Sequence, residues 1–276
     1  MFKIRLLSSI VLVVIALATI LGGGWYLAGI LWAISLVAYR ELCQACKIRE
    51  GEQKTNSLEM LGFVFITLYY LAMAGLKNPL YMILVVLMAL VGFLFVYVFS
   101  FPKIHARQVM SAYFSFVYAP VMFSFVYLTR ELEYGIYFVW MIFVSSWISD
   151  TFAYIFGMLF GKHSLAPILS PKKSIEGSVA GIIGSALCGG LFGYFLVERL
   201  IHGQEITFVF ALIGGIGSVI SQIGDLAASA IKRNYEIKDY GKLIPGHGGI
   251  MDRFDSVIVT APMIYFLFRI LITAVR

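Results

Sequence analysis

"PLYMILVVLMALVGFLFVYVFSF" occupies residues 79–101 and contains no charged side chain. Its apolar residues do not alternate with polar ones, and the run is far longer than a buried core strand. Coiled as an α-helix at 1.5 Å per residue it reaches about 34 Å, enough to cross the hydrocarbon core of a bilayer. Lys77 and Lys103 stand just outside it, where charge can reach water. A helix that is apolar on every side needs lipid or protein around its whole circumference. This run therefore decides the fold class.

Further runs of the same kind cover 6–21, 25–39, 58–76, 109–128, 135–160, 177–197, 205–231 and 256–275. The 276 residues are 61% hydrophobic and 13% charged, with a mean hydropathy of +0.90. A soluble domain carries about 25% charged residues. The expected architecture is an all-α polytopic integral membrane protein of about nine transmembrane helices. The first two runs are short and separated only by Gly22-Gly23-Gly24, which leaves a tight hairpin and one long tilted helix both open.

Nine spans put alternate loops on opposite sides of the membrane, and the basic residues separate accordingly. Lys77, Arg130, Arg199 and Arg276 fall on one side and Arg269 inside the last span; every other Lys and Arg falls on the opposite side. The positive-inside rule then places the N-terminus and the basic loops in the cytoplasm and the C-terminus outside. The net charge of +6 is thus a topology signal and calls for no nucleic-acid partner. Cys43 and Cys46 form a C-x-x-C without the second pair a zinc site requires, so they read as incidental thiols.

The chemistry is concentrated in the second half. Glu41, Glu50, Glu52 and Glu59 lie at or near span ends and read as solvated. Asp150, in "SSWISDTFAYIFGMLFGKH" (145–163), and Asp225, in "SQIGDLAASAIKR" (221–233), fall inside apolar runs. Carboxylates there are expensive and mark candidate sites. The loops that follow, on the same expected face, hold Lys162, His163, Lys172, Lys173 and Glu176, then Lys232, Arg233, Lys238 and Asp239. "PGHGGIMDRFD" (245–255) follows, with His247, Gly248, Gly249, Asp252, Arg253 and Asp255. Asp252 and Asp255 are three apart and share a helix face if the last span begins there. With Asp225 they make three carboxylates able to converge near the membrane surface. Mg²⁺ takes one or two carboxylates plus substrate phosphates. Lysines and arginines neutralise phosphate charge, and glycines let backbone N–H groups approach it. The combination describes a phosphate-transfer site.

Residues 229–256, "SAIKRNYEIKDYGKLIPGHGGIMDRFDS", resemble the signature of the phosphatidate cytidylyltransferase (CDP-diacylglycerol synthase) family. Every fixed position of that signature is filled, from Ser229, Lys232, Arg233, Lys238 and Asp239 through Pro245–Gly249 to Asp252, Arg253 and Asp255. "SDTFAYIFGMLFGKHSLAPILSPKKSIEG" (149–177) resembles the family's second block, with Ser174 in place of an expected Thr. The motif-bearing resemblance covers 145–256 and divides the chain into N-terminal and middle helices, 1–144, and a catalytic transmembrane region, 145–276.

The resemblance implies transfer of CMP from CTP to phosphatidic acid, giving CDP-diacylglycerol and pyrophosphate, at the cytoplasmic face of a bacterial-type inner membrane. It implies Asp225, Asp252 and Asp255 as ligands of Mg²⁺ and of a second monovalent cation such as K⁺. It implies Lys232, Arg233, Lys238, Asp239, His247 and Arg253 as the catalytic, phosphate-holding set. Asp150, Lys172, Lys173, Glu176, Gly248 and Gly249 are expected around the nucleotide, and a homodimer is expected by analogy. Two other readings stay open here: a CTP-dependent lipid kinase, and an ion-coupled transporter, which also uses intramembrane acids. The D-G-x2-A-R pattern of headgroup transferases is absent.

Overall fold

The computed structural model describes residues 13–48, 56–198, 200, 206–243 and 248–275. Its helices are α1 (Val13–Gly22), α2 (Gly24–Ala45), α3 (Ser57–Leu76), α4 (Pro79–Ser100), α5 (Ala106–Arg130), α6 (Gly135–Phe160), α7 (Ile175–Val197), α8 (Ile206–Asn234) and α9 (Met251–Val275). A small antiparallel hairpin, β1 (Ser164–Ala166) and β2 (Ser170–Ser174), lies between α6 and α7. Helices α2 to α9 are each long and apolar enough to cross a membrane; α1 is shorter. The chain is a multi-pass integral membrane protein. Of the two readings for the first runs, an unbroken helix is excluded. Gly23 (φ 59°) and Gly24 (φ 49°) interrupt it in the left-handed region, where only glycine is unstrained.

Helix starts follow local chemistry. Asn78 caps α4 by accepting the Leu80 N–H at 2.9 Å, with Pro79 in the first turn. Ser174 caps α7 by accepting the Gly177 N–H at 3.1 Å. On α4 only Met82, Ala89 and Phe93 are buried, and Ile83, Leu87, Val91 and Val98 are exposed. That is the surface expected of a helix surrounded by lipid.

Packing divides the chain into two units, one of residues 1–127 and 235–254, the other of 128–234 and 255–276. This division cuts across the motif-based one, because residues 235–254 pack with the N-terminal helices. The first unit is packed by rings: Tyr39, Tyr69, Phe93 and Phe116 are fully buried. The hydroxyls of buried tyrosines find partners. Tyr69 and Ser124 hydroxyls are 3.1 Å apart, and Tyr70 and Ser35 hydroxyls 2.8 Å.

The second unit is packed by small residues. Gly177, Gly181, Gly184, Ser185 and Gly189 form one buried face of α7, and Gly214, Gly217, Ser218 and Ser221 the matching face of α8. Small residues let backbones approach closely, which drives helix association in lipid. A Cβ on Gly181 would lie 2.9 Å from the Ser149 carbonyl oxygen. Gly181→Val is therefore expected to destabilise this unit by about 1–3 kcal/mol, read as a lowered unfolding midpoint in detergent. An unchanged midpoint would show that α6 and α7 have room to separate.

Candidate active site

A cavity of about 340 Å³ opens in the second unit, walled by α6, the β-hairpin, α7 and α8. That size suits a small organic ligand. Asp150 enters it from α6, Lys172 and Lys173 from β2, and Asp225 from α8. Lys173 Nζ forms an ion pair with Asp225 Oδ2, both side chains about a third exposed (30% and 27%). Both lysines stand near the end of β2, just before Ser174, which caps α7.

Gln222, one helical turn before Asp225, fixes α8 in place. Its Oε1 accepts the Ser178 hydroxyl, and its Nε2 donates to the Ser178 carbonyl (3.2 Å) and to the hydroxyls of Ser149 and Ser218 (3.4 Å each). Ser149 and Ser218 are themselves 2.7 Å apart. An amide held by three helices in an apolar layer gives Asp225 a rigid base. Sequence reading missed Gln222, although a buried amide at i−3 from an intramembrane acid was a usable signal.

Glu176 is not among the cavity-lining residues. Its Oε1 lies 2.7 Å from His163 Nδ1, and its Oε2 accepts the N–H groups of Lys162 (3.1 Å) and His163 (3.3 Å). The carboxylate braces the turn after α6.

The entrance to α9 belongs to the first unit. Asp252 Oδ2 accepts the N–H groups of Tyr240 (2.8 Å) and Gly249 (3.0 Å). Gly248 sits at φ 86° against the same carboxylate. Gly249 thus directs its N–H to Asp252. Glu41, expected to be solvated, is 6% exposed. Its two oxygens accept the N–H groups of Ile250 (3.1 Å) and Met251 (2.8 Å). Glu59 is likewise fully buried. For Glu41 the cause is plain: a carboxylate at a span end can turn inward when backbone donors await it.

Other expected residues sit as follows. Lys232, half-buried, and Arg233, exposed, end α8; Lys238 and Asp239 are exposed on the segment after it. Arg253 is exposed on the first turn of α9. Asp255, 7% exposed, accepts the Ser256 N–H at 2.8 Å. Pro245, Gly246 and His247 lie outside the described residues. Cys43 and Cys46 are buried free thiols.

The donor set in the second unit suits a hard cation. Asp150, Asp225 and Asp255 lie within electrostatic reach of one another, answered by Lys173 and Lys232. Among the described residues no three His, Cys, Asp or Glu groups stand close enough to enclose a metal unaided. Mg²⁺ seldom needs such a cage, because substrate phosphates complete its shell. Carboxylate oxygens are the donors such an ion takes beside substrate phosphates.

Comparison with known proteins bears on the whole chain. A family model described as "Cytidylyltransferase family" matches residues 3–271. The phosphatidate cytidylyltransferase of Staphylococcus haemolyticus is 32% identical over 269 residues, 96% of this chain and 98% of the relative. Those of Staphylococcus saprophyticus and Staphylococcus aureus are 31% and 32% identical, with the same shares covered.

Proposed function

The chain belongs to the cytidylyltransferase family, and on that premise we propose that it is a phosphatidate cytidylyltransferase, transferring CMP from CTP to phosphatidic acid. The observation that carries this reading is the similarity to proteins of that name along nearly the full length of both chains. The cavity supplies chemistry to match it, with paired lysines and carboxylates where helices meet a surface hairpin.

In the reaction, a phosphate oxygen of phosphatidic acid attacks the α-phosphorus of CTP. The new P–O bond forms as the α–β anhydride bond breaks, and pyrophosphate leaves with that electron pair. The attacking monoester is already ionised at neutral pH, so no strong general base is required. The protein's task is positioning and charge neutralisation. Lys172 and Lys173 would hold nucleotide phosphates at the cavity, with Asp150 at its mouth. By motif position Lys232, Arg233, Lys238, Asp239, His247 and Arg253 would serve the phosphates, and Asp225, Asp252 and Asp255 would ligate Mg²⁺ with K⁺ as a second cation. Bound Mg²⁺ would neutralise charge developing on the leaving pyrophosphate. Glu176, Gly248 and Gly249 would act by shaping the surrounding turns.

Purified protein given CTP, Mg²⁺ and phosphatidic acid is expected to yield CDP-diacylglycerol and pyrophosphate. A phosphorylated lipid with release of CDP would establish a lipid kinase instead.

The bias of basic residues supports a cytoplasmic N-terminus and site, and the family analogy a homodimer. The orientation has a direct test. Ile168, 88% exposed at the hairpin turn, is expected to be on the cytoplasmic face, and Glu131 on the outside. In a Cys188→Ser background, Ile168→Cys should label only when an impermeant thiol reagent reaches the cytoplasmic side. Glu131→Cys should label from outside. The opposite pattern would put the site where CTP is absent.

A further inference from the structure

Glu41 has no place in the motif blocks, yet its carboxylate is among the most heavily engaged in the first unit. It is 6% exposed near the end of α2, and it accepts the Ile250 N–H at 3.1 Å and the Met251 N–H at 2.8 Å. Met251 is the first residue of α9. The leading N–H groups of a helix have no partner within it, and the partial positive charge there favours an anion. The two glycines flanking this entrance press bare Cα atoms onto the same carboxylate. A Cβ on Gly249 would lie 2.5 Å from both Glu41 oxygens, and one on Gly241 would also collide with Oε1. Asp252 holds the neighbouring strands of the loop through Tyr240 and Gly249. Two carboxylates, one 209 residues from its partner, therefore pin the backbone on both sides of the point where α9 starts.

An ordinary cap would come from the residue just before the helix and would leave the rest of the loop free. Here the capping group comes from a distant span, and the residues set by it are those of the first turn, Asp252 and Arg253. We propose that Glu41 is a positioning residue for the cytidylyl transfer: it holds the first turn of α9, and through it Asp252 and Arg253, in the geometry the reaction uses. The proposal rests on the function argued above. Removing the charge leaves the fold standing but lets the turn drift, and misplacement on the order of 1 Å can lower turnover about a hundredfold.

The test uses full-length protein in detergent micelles with CTP, Mg²⁺ and phosphatidic acid, and compares wild type with Glu41→Gln, Glu41→Asp and Gly241→Ala. Glu41→Gln should lower kcat about tenfold to a hundredfold, with KM for CTP changed less than about threefold. Glu41→Asp, one methylene short, should fall between it and wild type. Amide hydrogen exchange, which needs no turnover, should quicken in peptides covering 240–254 and not in those covering 177–192. Gly241→Ala, which leaves Glu41 charged but crowds it, should move both readouts the same way, and it decides the matter if Glu41→Gln fails to accumulate. Wild-type kcat in Glu41→Gln, or in Gly241→Ala where that variant decides, would overturn the proposal. So would faster exchange throughout the chain, the mark of a merely structural role. Failure of the wild type itself to form CDP-diacylglycerol would instead overturn the function on which the proposal rests.

Discussion

Asp225→Asn is expected to lower CDP-diacylglycerol formation by at least about a hundredfold, or about 2.7 kcal/mol at the barrier. The substitution keeps the size of the side chain and removes only its charge. Two consequences follow from where it sits. A hard cation loses an anionic oxygen ligand, and Lys173 loses the partner it holds in the cavity. Neither is relieved by movement of α8, because Gln222 ties that helix to α6 and α7. Asp252→Asn and Asp255→Asn are expected to fall comparably, and double variants by far less than the product of the singles, since groups acting as a unit are not additive. Turnover against Mg²⁺ concentration is the measurement. Wild-type rates and Mg²⁺ dependence in all three would remove the metal assignment.

Lys173→Ala is expected to lower turnover by roughly a hundredfold, within the range for loss of a charge-assisted phosphate contact at a reacting centre. In the structure its ammonium is held by Asp225 at the cavity, already desolvated by about two-thirds. Exchange of this ion pair for a ternary contact with phosphate needs little motion. Lys173→Arg should recover only part of the rate, because a planar fork does not replace a compact ammonium. A cycle with Asp225→Asn separates the two roles: if the pair works as a unit, the double variant is barely slower than the worse single. Simple multiplication of the two losses would mean that the ion pair is a surface contact unrelated to the reaction.

The membrane helices were legible wherever hydropathy alone sets their limits. The run read as 79–101 is α4, Pro79–Ser100, and the run read as 135–160 is α6. Legibility fails where polar residues are helical. The last run was read from 256, but α9 starts at Met251, because Asp252 is favoured in a first turn by the helix dipole while lowering any hydropathy window. Pro167 and Pro171 hid the β-hairpin, since prolines argue against strands. For the site, the motif residues Asp150, Lys172, Lys173 and Asp225 do share one cavity, whereas Glu41 and Glu59 read as solvated and are buried. A single sequence marks which side chains are ionisable, but not which distant backbone donors will face them. Only the folded chain brings Met251 to Glu41.

That long-range bond also constrains how the protein is made. Glu41 is synthesised 209 residues ahead of Ile250. At the usual pace of about 5–20 residues per second, the ribosome needs roughly 10–40 s to deliver its partners. Throughout that interval α2 carries a carboxyl group whose final donors have not yet been made. Leaving such a group unpaired in hydrocarbon is costly, so the end of α2 must wait near the headgroups, where water can reach it. The start of the last helix supplies those donors. A chain ended before residue 250 lacks the two N–H groups from which Glu41 accepts in the finished protein.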